Sequence, residues 1–186
     1  MKEAFLEPLL RRLRIRRVVP VLKRYPRCRI LDVGCGWEAK FLRSIEPYIE
    51  CGCGIDFKAP KMTSDKLRTM EITLDRTLPF ENASFDVVVM LAVLEHLEHH
   101  IEIVEEVFRV LRPGGVLLLT APSHKAKPVL EFLAYKLSLI SKDEIQDHKR
   151  YFDREELQKL FGAIGFSAFT HTYFQFGMNN FCIVER

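Results

Sequence analysis

Arg29-Ile30-Leu31-Asp32-Val33-Gly34-Cys35-Gly36 decides the architecture: an apolar run of strand character breaks into glycines and resumes as a helical segment over 39–45. Glycine at these positions lets the backbone turn tightly and come close to a ligand, and the first amides of the following helix can face an anion. Working outward, a second strand is expected over 49–56, ending at Asp56, and a third over 69–74. Phe85 to Ala92 is a continuous apolar run, the pattern of a strand covered on both faces. Val104, Val107, Phe108 and Leu111 follow helical spacing and lead into Arg112-Pro113-Gly114-Gly115, where glycine is expected to stop the helix before a strand over 116–121.

Further along, Pro128 suits a first helical position, with Val129, Leu130, Leu133, Leu137 and Ile140 continuing at helical spacing. Asp153 and Glu156 make a capping-box start for a helix carrying Leu157, Leu160, Phe161 and Ile164, stopped at Gly165. Strand-like stretches over 166–176 and 180–185, joined by Gly177-Met178-Asn179, read as a closing hairpin. The alternation predicts an α/β fold: a doubly wound, mostly parallel seven-stranded sheet with a C-terminal antiparallel hairpin and helices on both faces. A length of 186 residues suits one domain. Within it we distinguish a basic helical segment (1–27), a cofactor-binding half (28–122) and a half of acceptor-side helices and closing hairpin (123–186).

Composition excludes several classes. The longest uncharged apolar runs fall far short of the roughly 20 residues a membrane-spanning helix needs. Arginines from Arg11 to Arg17 interrupt what would have to be the apolar stretch of a signal peptide, so a cytoplasmic location is expected. Five irregularly spaced cysteines argue for reduced thiols, and Cys51-Gly-Cys53 has no partner pair with metal-ligand spacing, so no metal is expected. Ten of the 28 Lys and Arg residues fall in the first 30 positions against two acids. Leu6, Leu9, Leu10 and Leu13 are spaced to dock one face of a helix, with Arg11, Arg12, Arg14 and Arg17 outward. That basic face is either merely solvated or a peripheral contact with an anionic surface.

The glycine turn alone leaves two readings open. Gly34-x-Gly36-x-x-Ala39, with Asp56 twenty residues after Gly36, also satisfies the loose fingerprint of an NAD(P)-dependent oxidoreductase. Against it stand Asp32, an acid where dinucleotide sites usually carry an apolar residue, and the antiparallel hairpin. Five stretches in order, Ile30-Leu-Asp-Val-Gly-Cys-Gly36, Gly54-Ile-Asp56, Leu78-Pro-Phe-Glu-Asn-Ala-Ser-Phe-Asp86, Val93-Leu-Glu-His-Leu97 and Leu111-Arg-Pro-Gly-Gly115, resemble the class I, Rossmann-like S-adenosylmethionine-dependent methyltransferases. The likeness is to the small branch similar to ubiquinone- and menaquinone-biosynthesis methyltransferases, and it runs from Cys28 to the C-terminus.

The resemblance implies S-adenosyl-L-methionine as cofactor. It implies that Asp32 orders the turn or meets the cofactor's cationic end, that Gly34-Cys35-Gly36 leaves room for the aminoacyl part, and that Asp56 accepts from both ribose hydroxyls. Phe57 would cover the adenine, Asp75 would meet its amino group, and the backbone at Leu91 would lie near the transferred methyl. One departure stands out: Trp37-Glu38 follows Gly36 where the family often has Thr-Gly, placing a carboxylate near that of the cofactor. Glu38 must then point away or pair with the cofactor's ammonium; Trp37 reads as packing residue or lid.

In-line methyl transfer needs alignment more than an invariant catalytic set, but an oxygen or nitrogen acceptor calls for a base. His148 and His96 are the candidate catalytic residues, with His124, Asp147 and Glu95 beside them. The apolar insert over 123–151 suits a small-molecule or lipid-like acceptor. A nucleic-acid acceptor is disfavoured, since no Asn/Asp-Pro-Pro-Tyr-like motif follows the fourth strand. A monomer or homodimer is expected, and a cofactor-binding but catalytically silent partner protein is the remaining alternative.

Overall fold

A computed structural model of the chain describes residues 6–135 and 149–186. The elements run α1 (Glu7–Leu22), β1 (Arg29–Val33), α2 (Lys40–Ile45), β2 (Cys51–Asp56), β3 (Leu67–Glu71), β4 (Phe85–Leu91), α3 (His100–Val110), β5 (Leu111–Pro122), α4 (Ala126–Tyr135), α5 (Arg154–Ile164), β6 (Ala168–Phe174) and β7 (Asn179–Glu185). One sheet holds all seven strands in the order β3-β2-β1-β4-β5-β7-β6. The first five are parallel, and β7 lies antiparallel to both β5 and β6. The mostly parallel α/β sheet with its antiparallel closing hairpin is the expected fold.

Strand alternation shows why helices must cover both faces. Leu31 and Val33 of β1, Val88 and Met90 of β4, and Leu117 and Leu119 of β5 pack with Val104 and Val107 of α3 and with Leu157 and Phe161 of α5. Their neighbours Ile30, Val87, Val89, Val116 and Leu118 pack on the other side with Val18, Val21 and Leu22 of α1 and with Phe41, Leu42 and Ile45 of α2. These strand residues are apolar on both sides because each face of the sheet is roofed.

Several local expectations are corrected. α1 docks through its last turns, not through Leu6, Leu9, Leu10 and Leu13; Leu9 is exposed. Arg14 does not face outward, because its Nε is buried. β3 occupies 67–71 rather than 69–74: its pairing with β2 runs from Leu67 opposite Gly52 to Glu71 opposite Asp56, where β2 ends. α3 ends at Val110, where Leu111 turns extended (ψ 140°), so glycine does not stop it; Gly114 (φ +75°) lies instead within β5, between the Phe85–Leu111 and Val87–Val116 pairs where the register with β4 shifts. α4 begins at Ala126, two residues before Pro128, while Leu137 and Ile140 lie outside the described residues. The hairpin turn is Gln175–Met178, with Asn179 already in β7, and Gln175, Phe176 and Gly177 all adopt positive φ. The capping box of α5 forms as read: Glu156 N donates to Asp153 Oδ1 (2.9 Å), Asp153 N donates to Glu156 Oε2 (2.7 Å), and Gly165 closes the helix at φ +105°.

Candidate functional site at the carboxyl ends of the strands

The order β2-β1-β4 means that the chain winds outward in opposite directions from β1, leaving a crevice beyond the carboxyl ends of β1 and β4. The glycine turn lies there. Gly34 N and Cys35 N both donate to Ile55 O, at 2.8 and 3.1 Å, so the turn hangs from the end of β2. Gly36 N donates to Asp56 Oδ2 (3.0 Å) and Lys58 N to Asp56 Oδ1 (2.9 Å), so one carboxylate holds both loops and keeps lone pairs for further donors.

The two glycines of the turn have different reasons. A Cβ at Gly34 (φ +77°) would lie 2.2 Å from Val93 Cγ2, so the loop after β4 seats directly on this residue. At Gly36 (φ +71°) a Cβ would meet nothing within 4 Å, so this residue faces open space over the turn. Cys35 turns inward against Gly54, where a Cβ would be 2.9 Å from its Sγ. Its side chain is buried, leaving only its backbone on the crevice side.

Asp32 is 2% exposed, and its Oδ2 has no hydrogen-bond partner. Burial first, and then the Asp56 charge, push its carboxyl up to about 7. Glu95, in a short 3-10 turn (Leu94–His96) just beyond β4, is 1% exposed with Oε2 unpartnered. Burial pushes it up to about 7 against its own backbone hydrogen bond and the opposing charge of Arg14. Arg14 is the residue sequence reasoning missed here. Its place among arginines expected to face outward carried no signal that its Nε is buried and its charge acts on Glu95.

The remaining candidates fall into place unevenly. Phe57 is 58% exposed, with Lys58 Nζ 4.7 Å from its ring centroid. Asp75 lies four residues past β3, largely exposed, with His99 Nε2 3.5 Å from its carboxylate. Leu91 ends β4 on the crevice, and Ala92 follows in the left-handed region (φ 58°) with its N–H on Thr120 O. Glu38 is paired with Lys40 at 2.5 Å, which offsets the charge noted in the turn, and Trp37 is 43% exposed rather than core. His96 sits in the turn with Glu95, its N–H on Val93 O. His124 is drawn off to Glu156 of α5 (2.9 Å). His148 and Asp147 lie outside the described residues. Of the hairpin residues, Asn180 is structural: its Nδ2 donates to Ala121 O and Phe152 O, pinning the chain before α5 to the end of β5.

A doubly wound sheet with this switch point, a glycine turn tied to an acid at the end of β2 and a terminal antiparallel hairpin define a class I, Rossmann-like methyltransferase. The chain belongs to the methyltransferase-domain family, which matches residues 3–171. S-adenosylmethionine is the cofactor of that class, and membership sets aside the nicotinamide reading. The chain is 29% identical over 166 residues to demethylmenaquinone methyltransferase of Lactococcus lactis, covering 75% of this chain and 66% of that one. It is 34% identical over 94 residues to a tRNA (carboxymethyluridine(34)-5-O)-methyltransferase of Arabidopsis thaliana, covering 49% and 23%. The chain thus spans less than two thirds of the length of either relative. In fold it is similar to a methyltransferase solved in complex with the Haloferax volcanii Trm112 activator, at a TM-score of 0.69 and 14% identity over 100% of this chain and 99% of that one. Among the described residues no helix is long and apolar enough to cross a membrane.

Proposed function

We propose that the chain transfers the methyl group of S-adenosylmethionine to a small-molecule acceptor, and that the crevice beyond β1, β2 and β4 is where both meet. The observation that carries this reading is the buried Asp32, its Oδ2 without a partner and its carboxyl raised by the Asp56 charge, under a turn whose Gly36 faces open space. An orphaned acid at that point suits a cationic ligand, and Asp56, with lone pairs to spare, suits a ribose diol. The cofactor supplies the electrophilic methyl; the protein aligns the acceptor and excludes water. The Gly34-Cys35-Gly36 backbone borders the aminoacyl arm, the Leu91 backbone borders the transfer point, and Phe57 and Asp75 are assigned to the adenine end. We assign proton acceptance from the acceptor to Glu95 or His96, which share one turn after β4, and keep His148 as a candidate from sequence alone.

A small acceptor is favoured over tRNA because the quinone-methyltransferase match extends over 75% of this chain, including part of the half assigned to the acceptor, against 49% for the tRNA enzyme. The test is calorimetric titration with S-adenosylmethionine, S-adenosylhomocysteine and NAD, followed by turnover on hydroquinone-type phenols and on unmodified tRNA. Micromolar-range binding of the first two with phenol methylation is the expected result. Turnover on tRNA alone would move the acceptor class, and binding without any turnover would favour a silent partner protein.

The raised Asp32 carboxyl makes a second prediction, with its sign set by linkage. A folded-state value of about 7 means that the cofactor-free protein holds a proton the unfolded chain releases near 4, so ionising Asp32 costs stability as pH rises between those values. A cation beside it favours the carboxylate, and binding then expels the proton. Affinity for S-adenosylmethionine should rise by up to about tenfold per pH unit on approaching 7 from below and level off above it. Calorimetry near pH 6, in two buffers of different ionisation enthalpy, reads the released proton directly. Asp32→Asn should abolish the difference; identical heats in the parent protein would remove the cation from Asp32.

A further inference from the structure

The opposite edge of the sheet carries a second concave site that methyl transfer does not use. It is a cavity of about 530 Å³ lined by Arg24, Arg27, Arg29 and Arg112, with Tyr25, Glu50 and Asp86 also on its wall. Arg29 opens β1, Arg112 follows the start of β5 and Glu50 precedes β2, so the cavity lies at the amino ends of the parallel strands, across the sheet from Asp56 and Leu91.

Its charges are unevenly matched. Asp86 is 5% exposed, with Arg112 Nη1 2.8 Å from its Oδ1 and Arg29 N donating to Oδ2 at 2.6 Å; this carboxylate is occupied in clamping β1, β4 and β5 together. Among the described residues no carboxylate lies within ion-pair distance of the guanidinium groups of Arg24, Arg27 or Arg29. Glu50 is the one remaining acid on the wall against these three cations. Arg27 is also held at φ 55°, a left-handed conformation that favours glycine or asparagine, with its N–H on Tyr48 O.

We infer that this arginine cavity is a binding site for a phosphomonoester group, separate from the methyl-transfer site. Planar guanidinium forks match the oxygens of a phosphate dianion, and three of them unpaired in one concavity make a stronger trap than the same charges spread on a surface. The group comes either on a soluble ligand or on a lipid headgroup that holds the sheet's amino edge against a surface and leaves the cofactor crevice open.

The test uses the full chain and two probes: inorganic phosphate against chloride at matched ionic strength, and phosphatidylcholine vesicles with and without phosphatidic acid. The double variant Arg24→Gln, Arg27→Gln is compared with Lys127→Gln, Lys159→Gln, which removes the same charge elsewhere. S-adenosylhomocysteine binding and melting temperature verify that both variants are folded. At least one probe should bind, and the arginine variant should lose about tenfold or more while the lysine variant keeps parental affinity. Response to free phosphate identifies a soluble source, and response to phosphatidic acid vesicles alone identifies a lipid one; either supports the site. No response to either probe, or equal losses in the two variants, would overturn it.

Discussion

Asp56→Ala should weaken S-adenosylmethionine binding by about 10²-fold or more, from the loss of two hydrogen bonds to a charged acceptor at roughly 1.5–3 kcal/mol each. The loss has a second source within the protein. Asp56 Oδ2 accepts from Gly36 N and Oδ1 from Lys58 N, so alanine frees the tip of the glycine turn as well as deleting the proposed ribose contact. Asp56→Asn separates the two: its one carbonyl oxygen keeps a single acceptor position and no charge, and binding should fall between parent and alanine. Calorimetry supplies the affinities and a thermal melt shows whether the sheet survives. The β1–β2 ladder does not depend on this side chain, so the melting temperature should drop by only a few degrees, on the order of 1 kcal/mol of stability. Parent-like affinity in Asp56→Ala would place the nucleoside elsewhere than at the end of β2.

How much of this was legible beforehand depended on whether a residue answers to a neighbour in sequence or to one in space. β4 and β5 were readable because both faces of each strand are covered, which leaves an unbroken apolar run. The α5 capping box was readable because its two partners are three residues apart. β3 was misplaced because its apolar residues Ile72 and Leu74 pack on the core from the following loop, so hydrophobicity marks burial there without marking strand. α1 was misread because its leucines carry helical spacing, yet the sheet lies under Val18, Val21 and Leu22.

The site divides in the same way. The glycine turn and Asp56 were legible as a motif, since a loop tied to the next strand needs those residue types in that order. The charge of Arg14 acting on Glu95, between elements some eighty positions apart, left no pattern to read. Parts of the family-like stretches also prove to be scaffold. Arg109 of α3 donates to Leu78 O, Phe80 O and Asn82 Oδ1, and Glu106 accepts from Leu78 N, so the Leu78–Asp86 stretch is held against α3 rather than against the crevice.

Gly34→Ala should be the most damaging single-methyl change in the chain, and the double variant with Val93→Ala should recover part of the loss. Two penalties coincide at Gly34. Its φ of +77° costs an L-residue about 1 kcal/mol or more. The added methyl would also sit 2.2 Å from Val93 Cγ2, so the loop carrying Val93, Glu95 and His96 must lift off the turn. Overpacking of this kind costs a further 1–3 kcal/mol or so, and the displaced loop is the one that borders the proposed transfer point. Val93→Ala alone removes two methyls from a partly buried contact and should cost roughly 1 kcal/mol. Combined, the changes relieve the clash but not the backbone strain, so a double-mutant cycle on thermal or urea unfolding should give a favourable coupling of about 1–2 kcal/mol. S-adenosylhomocysteine affinity should follow the same order, lowest in Gly34→Ala and partly restored in the pair. Gly36→Ala is the internal contrast: its φ is +71°, but its Cβ meets no protein atom within 4 Å. It should therefore destabilise by the conformational strain alone while still weakening cofactor binding, because the space it enters is the space assigned to the aminoacyl arm. Strict additivity of Gly34→Ala and Val93→Ala would mean that the turn and the β4 loop are not in register, and the geometry proposed for the crevice would fall with it.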